Sequence, residues 1–566
     1  MCKKLFLAAA ILTASMQADA QAIAKNYKEV GELNPISPCV FCADPTAIDY
    51  KGRLYVYGTN DHQQFIINQK KGTNGYGNIK SLVVFSTDDM VNWTFHGTID
   101  VGKVCGSWCG QSWAPSAVWR TNSQGKDEFF IYFANGGGSV GVIKGSSPIG
   151  PFTSPNSQAM ITHGMSGVDP CNWVFDPGAV IDENGQGWIA FGGGDPQSSG
   201  SKLWPGNSRI AKLKPSMTEI DGSAVNMPAP YLFEASELNM IGGRYVYTYN
   251  TSWGERPDWG TYEKSNGQPA PSPCSMCYMV TDTPLKPSSW EYRGEYVPNE
   301  GNFGMGWGNN HTHLHKFQDK YYLFYHSTVL EEAMNTGASG FRSIGVDVAK
   351  VTDSTQTIDK VTLTKKGVTF IKRLNPYELQ QAETMCISGG VNYEHFTNIK
   401  KNTDINTLGN DASENMQVKM VAGAWTMVTK VDFGTTGASS FMLRAKGKGK
   451  LELRLGNKDG KAAATLEFSS STYQDHVIEL NPATFKSLRN LYLVYTEANN
   501  AWVDAWQFTE AGASGINDAQ ASGTSTKKSV TYDLGGRIVN NEKSHRHGVV
   551  IDRYADGKSM KRVVSR

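Results

Sequence analysis

The stretch YKGRLYVYGT, residues 50–59, decides how this chain is read. A tight turn at Lys51-Gly52, where glycine accepts a positive φ, leads into a strand that alternates in side-chain type with period two. The same figure recurs as QGKDEFFIYFANGG (124–137), ENGQGWIAFGGG (183–194), IGGRYVYTYN (241–250) and FQDKYYLFYH (317–326). The five copies stand roughly 60–75 residues apart, a period that marks repeat architectures. One copy per blade predicts an all-β chain that opens with a five-bladed β-propeller over residues 30–372. A β-sandwich with long loops is the competing reading, and five copies of one hairpin in one stretch argue against it.

Outward from the repeats, Asn375-Pro376 breaks the pattern and marks a boundary. Short strands with β-sandwich spacing follow over 378–510. Residues 511–528, rich in Gly, Ser, Ala and Thr, read as a linker, and 529–566 resumes weak strand character. At the other end, Lys3 and Lys4 precede an apolar stretch and the A-x-A motif Ala18-Asp19-Ala20, so residues 1–20 read as a secretory signal. The stretch is too short to span a bilayer, and no other transmembrane candidate is present. The expected location is therefore secreted, periplasmic or at the cell surface of a bacterium.

A length of 566 residues requires more than one core, which agrees with these boundaries. A net charge of +1 leaves no basic surplus for nucleic acid. Without Cys2 eight cysteines remain, an even count that fits an exported chain. Disulfides, buried free thiols and a zinc site built from Cys39-x-x-Cys42 and Cys274-x-x-Cys277 all stay open.

Three carboxylates stand beside apolar runs that lead into repeats: Asp44 in CADPTAIDYKG, Asp176 in WVFDPGAVIDENG and Glu234 in YLFEASELNMIGG. An Asp before Pro is by itself an ordinary turn residue. Placed alike in separate blades, however, these acids aim at one axis. Paired carboxyl groups are what glycosidic hydrolysis needs, one to protonate the leaving oxygen and one to attack or to activate water. His311, His313 and His315 alternate along one strand, which spaces them poorly for a shared metal.

The ordered series ADPTAIDYKGRLYVYGT, SWAPSAVW, FFIYFANGGGSVGV, VFDPGAVIDENGQGWIAFGGG, FEASELNMIGGRYVYTY and NNHTHLHKFQDKYYLFYH resembles the motifs of glycoside hydrolase family 43. The resemblance covers nearly the whole first domain and implies a five-bladed propeller of inverting enzymes. It implies that Asp44 is the general base, Glu234 the general acid, and Asp176 the acid that tunes and holds Glu234. It further implies substrate contacts from Trp113, His311 and Arg342. Thr312 stands where the family often has a second histidine, and Glu237 is an additional acid with a structural role. Within the family, an α-L-arabinofuranosidase acting on arabinoxylan-type plant cell-wall polysaccharide is the first reading, and β-xylosidase and endo-arabinanase are the neighbouring ones. A non-catalytic sugar-binding surface protein and a retaining fructan-type glycosidase are the readings from outside it.

The 378–510 segment, with YELQQAETMCISGGVNYE, AGAWTMVTKVDFG and NLYLVYTEANNAWVDAWQF, resembles a family 6 carbohydrate-binding module with a jelly-roll sandwich. That implies a structural calcium near Glu383 and Asp504, with Trp502 or Tyr393 as a sugar platform or as packing. No cofactor is needed for the chemistry itself. The tail, with VTYDLGGRIVN and a basic end, resembles the C-terminal sorting domains of exported Bacteroidetes-type proteins, which implies export machinery as a partner.

Overall fold

The computed structural model describes residues 23–194, 202–398 and 416–512, and the strands at 528–533, 547–554 and 559–565. The expected signal at 1–20 and most of the expected linker lie outside the described residues. Each repeat of the sequence is the hairpin between the first two strands of a blade. The pairs are Ala43–Tyr50 with Arg53–Thr59, Trp113–Thr121 with Asp127–Ala134, and Gly178–Ile181 with Gly187–Phe191. Leu232–Ile241 with Arg244–Thr251 and Thr312–Phe317 with Lys320–Ser327 complete the set.

The first strands touch one another in a closed ring. Ala43–Tyr50 meets Trp113–Thr121 and Thr312–Phe317, Gly178–Ile181 meets Trp113–Thr121 and Leu232–Ile241, and Leu232–Ile241 meets Thr312–Phe317. Their starting ends therefore converge on one axis. Blades pack face to face, so middle strands such as Leu82–Thr87 and Met276–Thr281 are buried throughout and are mostly apolar on both faces.

The fifth blade has three strands, the last being Ser343–Ala349. The N-terminal segment completes it. Ile36 N–H donates to Ile344 O at 2.8 Å and Cys42 N–H to Arg342 O at 2.9 Å. Beyond Ile36 along the same edge, the Asn34 amide does the work of a strand residue: its Nδ2 donates to Val346 O at 3.0 Å, and its Oδ1 accepts from Val346 N–H at 2.8 Å.

The second domain is an eight-stranded sheet that curls into the β-sandwich around Trp425, Phe441, Leu493, Trp506 and Phe508. The 23-residue strand Leu488–Glu510 joins its layers, pairing with Trp425–Asp432 in its first half and Met416–Met420 in its second. Residues from before the propeller also dock here, Ala24 O accepting from Trp425 Nε1 at 2.8 Å. The two domains share one core. Phe95 meets Phe396 edge to face at 4.9 Å, and Thr384–Met385 adds a strand to the first blade. Tyr393 is 5% exposed and stacks on His62 at 4.3 Å, so it is packing and offers no sugar platform. Glu510–Arg566 is a separate compact unit with a three-stranded antiparallel sheet.

All eight described cysteines are buried free thiols. The two C-x-x-C pairs do not converge, because Cys39 and Cys42 lie in the core of the first blade while Cys277 lies in that of the fourth. Among the described residues no helix is long and apolar enough to cross a membrane.

Replacing Asn34 by Ala strips Val346 of both partners in a buried setting, where each unsatisfied group costs about 1–3 kcal/mol. Asn34→Ala is expected to lower stability by about 2–4 kcal/mol, read as an earlier urea midpoint. An unchanged midpoint would show that the N-terminal segment does not close the ring.

Candidate active site

The axis end formed by the strand starts holds a cavity of about 370 Å³, lined by Asp44, Asp176, Glu234, His311, Arg342 and Trp113, together with Tyr76, Gly137, Trp173, Phe175 and Asn309. All three acids and all three substrate-contact residues expected from the sequence thus meet in one place. The backbone explains how. Asp44 has φ +49°, Asp176 +45° and Ala235 +62°, the left-handed region that non-glycine residues avoid. Irregular pairing at Ala43/Thr46 and at Leu232/Glu234/Glu237 marks bulges in two of these strands. The bulged or left-handed residue swings the chain at the axis end and re-aims its side chain. Such strain persists only where the surroundings enforce it, and it concentrates at functional sites.

Asp44 is held by a dense set of polar neighbours. Arg342 Nη1 donates to Oδ1 at 2.8 Å and Thr59 Oγ1 to Oδ2 at 2.7 Å. His311 Nδ1 lies 3.6 Å and His326 Nδ1 3.3 Å from Oδ1. His326 Nδ1 accepts the Asp44 backbone N–H at 3.1 Å while its Nε2 reaches Asn309 O at 2.5 Å. This pattern assigns the Nε2–H tautomer. Arg342 is itself fixed by Asp61, whose two oxygens accept from Nε and Nη2, each at 2.9 Å. Burial opposes ionisation of Asp44, but the Arg342 guanidinium outweighs it and holds the carboxyl well below the usual range.

Asp176 and Glu234 are pushed the other way. Asp176 rises to about 7, through burial first and then the negative charge of Asp44. Glu234 rises well above its ordinary value, through burial, then Asp176, then Asp44. Asp176 Oδ2 also accepts the Ala235 backbone N–H at 2.9 Å, which fixes the peptide that carries Glu234. One cavity therefore holds an ionised carboxylate and a protonated carboxyl side by side, the pairing that acid/base chemistry on one bond requires.

The remaining expected residues stay apart from this chemistry. Trp113 Nε1 donates to Tyr76 O at 3.2 Å, which sets the indole in the cavity wall. His313 pairs with Glu237 at 3.1 Å and His315 with Asp49 at 3.3 Å, so the three histidines serve three different acids. Among the described residues no group of three or more His, Cys, Asp or Glu could hold a metal ion. In the second domain, Glu383 Oε2 and Asp504 Oδ1 are buried without a hydrogen-bond partner. Each raises a need that a cation with oxygen ligands meets, although Arg444 Nε already lies 3.1 Å from the other Asp504 oxygen.

Sequence reasoning missed Asp61, Thr59, Tyr76, Trp173, Phe175, Asn309 and His326. A signal was present for two of them. Thr59 and His326 end the first and fifth repeats, and every repeat ends at the axis face.

The family model for glycosyl hydrolases family 43 matches residues 32–347, and that for carbohydrate binding module (family 6) matches residues 381–510. The chain is 34% identical over 506 residues to an arabinoxylan arabinofuranohydrolase of Bacillus subtilis (strain 168), covering 85% of this chain and 93% of the relative. It is 33% identical over 512 residues to an arabinoxylan arabinofuranohydrolase of Paenibacillus polymyxa, covering 87% of this chain and 76% of the relative. The crystal structure of a glycoside hydrolase family 43 arabinoxylan arabinofuranohydrolase from Bacillus subtilis, in complex with cellotetraose, superposes with a TM-score of 0.76 at 32% identity, covering 86% of this chain and 99% of that one. The matches fall on the propeller and on the curled sheet as the fold divides them, and this chain belongs to glycosyl hydrolases family 43.

Proposed function

We propose that the protein is an inverting α-L-arabinofuranosidase that releases arabinose side chains from arabinoxylan-type hemicellulose. The observation that carries the mechanism is one cavity that gathers Asp44, paired with Arg342, and the buried carboxyls of Glu234 and Asp176. Glu234 gives its proton to the glycosidic oxygen as that bond breaks. Asp44 takes a proton from the water that attacks the anomeric carbon from the other face. Asp176 holds the Glu234 peptide through Ala235 N–H and keeps the acid protonated by its charge. Arg342 keeps Asp44 ionised. The cavity of about 370 Å³ lies at the small end of the ~300–1,000 Å³ range of ligand sites, which suits release of a single pentose. The arabinoxylan substrate rests on the activity of the two relatives that match along most of this chain.

The same reading extends to the rest of the chain. The second domain keeps the enzyme at polymeric substrate by raising its effective concentration, with Glu383 and Asp504 as oxygen ligands of a structural calcium. Residues 1–20 direct secretion, and the C-terminal unit serves as a sorting address.

Glu234→Gln keeps the shape of the acid and removes its proton. It is expected to lower kcat on arabinoxylan by about 10²–10⁴-fold, and proton NMR during wild-type turnover should show the inverted arabinose anomer first. Xylose as the product would move the substrate, and a retained anomer would sink the roles given to Asp44 and Glu234.

The pH profile separates the tuning groups. The alkaline limb follows loss of the Glu234 proton, which burial and the charge of Asp176 hold well above the usual carboxylate range. Asp176→Asn keeps an acceptor for Ala235 N–H but removes the charge, so Glu234 should deprotonate earlier and the alkaline limb should move to lower pH. Arg342→Gln removes the charge that keeps Asp44 ionised, so the acid limb should move to higher pH. Limbs that stay in place in both variants would show that neither residue sets the protonation of its neighbour.

A further inference from the structure

Tyr76 lines the catalytic cavity, yet no proton transfer of the hydrolysis passes through it. It sits in the segment Asn74-Gly75-Tyr76-Gly77-Asn78, between the helix Asp61–Ile67 and the strand Leu82–Thr87. That segment is clipped across the seam of the ring. Gly72–Thr73 pairs in parallel with Ala338–Ser339, Asn74 N–H donates to Ser339 O at 2.8 Å, and Asn74 Nδ2 donates to Gly340 O at 3.1 Å. At the tip Tyr76 has φ +59°, where a bulky aromatic residue is an outlier. Its backbone N–H donates to Asn74 Oδ1 at 3.1 Å and its carbonyl accepts from Ile79 N–H at 3.1 Å, so the turn is held from both sides. Strain of this kind persists where the surroundings enforce it, and it gathers at sites of function.

The turn sets the phenol ring against Arg342, on the side of the cavity where Asp44 is held. Arg342 Cζ lies 5.0 Å from the Tyr76 ring centroid, within cation–π range, and Nη1 of the same guanidinium donates to Asp44. The Trp113 ring stands 6.3 Å away at 68°, an edge-on contact, and its Nε1 donates to Tyr76 O. Ring and carbonyl are thus both used by the protein. The hydroxyl is not. It forms no hydrogen bond to another described residue, and it is not sealed from solvent. Burial holds its pKa above the ordinary value, so it stays a neutral O–H that can donate and accept.

Phenylalanine would serve a packing role here equally well, since it offers the same ring without the polar group. In a cavity of about 370 Å³ a bound pentose displaces water from the walls, and a hydroxyl left unmatched there weakens binding. The protein offers this hydroxyl no partner, so the partner comes from the sugar. We propose that Tyr76 is a specificity-determining residue whose hydroxyl hydrogen-bonds a hydroxyl of the sugar held in the cavity, while its ring stays fixed on Arg342. The contact selects against a glycosyl unit that lacks that hydroxyl, because discrimination is strongest where a site is built to pair a polar group. This inference rests on the glycosidase reading of the cavity and not on which pentose is released.

The test is steady-state kinetics of wild type and Tyr76→Phe on 4-nitrophenyl α-L-arabinofuranoside and on its 2-deoxy, 3-deoxy and 5-deoxy analogues. Tyr76→Phe should lower kcat/KM on the parent glycoside by about tenfold, the size of one neutral hydrogen bond. The melting temperature should stay at the wild-type value, because the hydroxyl has no partner in the protein. On one deoxy analogue the two proteins should turn over alike, which identifies the sugar hydroxyl that Tyr76 holds. Undiminished turnover of the parent by Tyr76→Phe, the same loss on all three analogues, or a lowered melting temperature that accounts for the loss would overturn the proposal. Wild-type cleavage of 4-nitrophenyl β-D-xylopyranoside in place of the arabinoside would unseat the arabinofuranosidase reading alone. The Tyr76→Phe loss is then read on the xyloside and its deoxy analogues, with the same outcomes deciding.

Discussion

Arg342 carries a guanidinium that is almost entirely buried, and a buried charge is tolerable only when it is paired. Its partners are Asp44 and Asp61, both reached at hydrogen-bond distance. Arg342 stands at the start of the last strand of the fifth blade, and Asp44 and Asp61 stand at the two ends of the first hairpin. The pairing therefore spans the seam where the propeller ring closes. Its backbone carbonyl also receives Cys42 N–H from the N-terminal segment. One side chain thus joins the first blade to the last and supplies the positive field of the cavity. If the ring opened at this seam, the charge that keeps Asp44 ionised would be lost together with the fold.

The cavity turns one residue type to opposite purposes by environment. Asp44 has the cation of Arg342 beside it and backbone strain that aims it at the axis. Asp176 has burial and the negative charge of Asp44, and Glu234 has burial and the charges of Asp176 and Asp44. The like charges would repel if all three acids ionised. The stable arrangement puts a proton on the Asp176–Glu234 side and leaves Asp44 bare. The propeller makes this possible because separate blades each contribute one acid from the start of an inner strand, so three distant segments of sequence arrive within one field.

The second domain is built into the molecule rather than hung from it. Its strand Thr384–Met385 extends the first blade, and Asn92 exchanges two hydrogen bonds with the Thr429 backbone at 2.9 and 2.8 Å. This joint fixes the second domain against the first blade.

The period-two hairpins determined the propeller, because alternation and glycine turns are local properties that any one repeat carries whole. The same locality exposed Asp44, Asp176 and Glu234, each adjacent to a repeat. Asp61 and Tyr76 carried no such mark. Their importance comes from what lies across the ring from them, and contact across a closed ring is written in no single segment. Tyr393 and the paired cysteines show the converse: each had a functional reading in the sequence, and burial against a neighbouring element gave it another. Spacing along the chain set the hairpins, whereas the charge of each acid was decided only when the blades closed around Arg342, because a pKa depends on what surrounds a group in space.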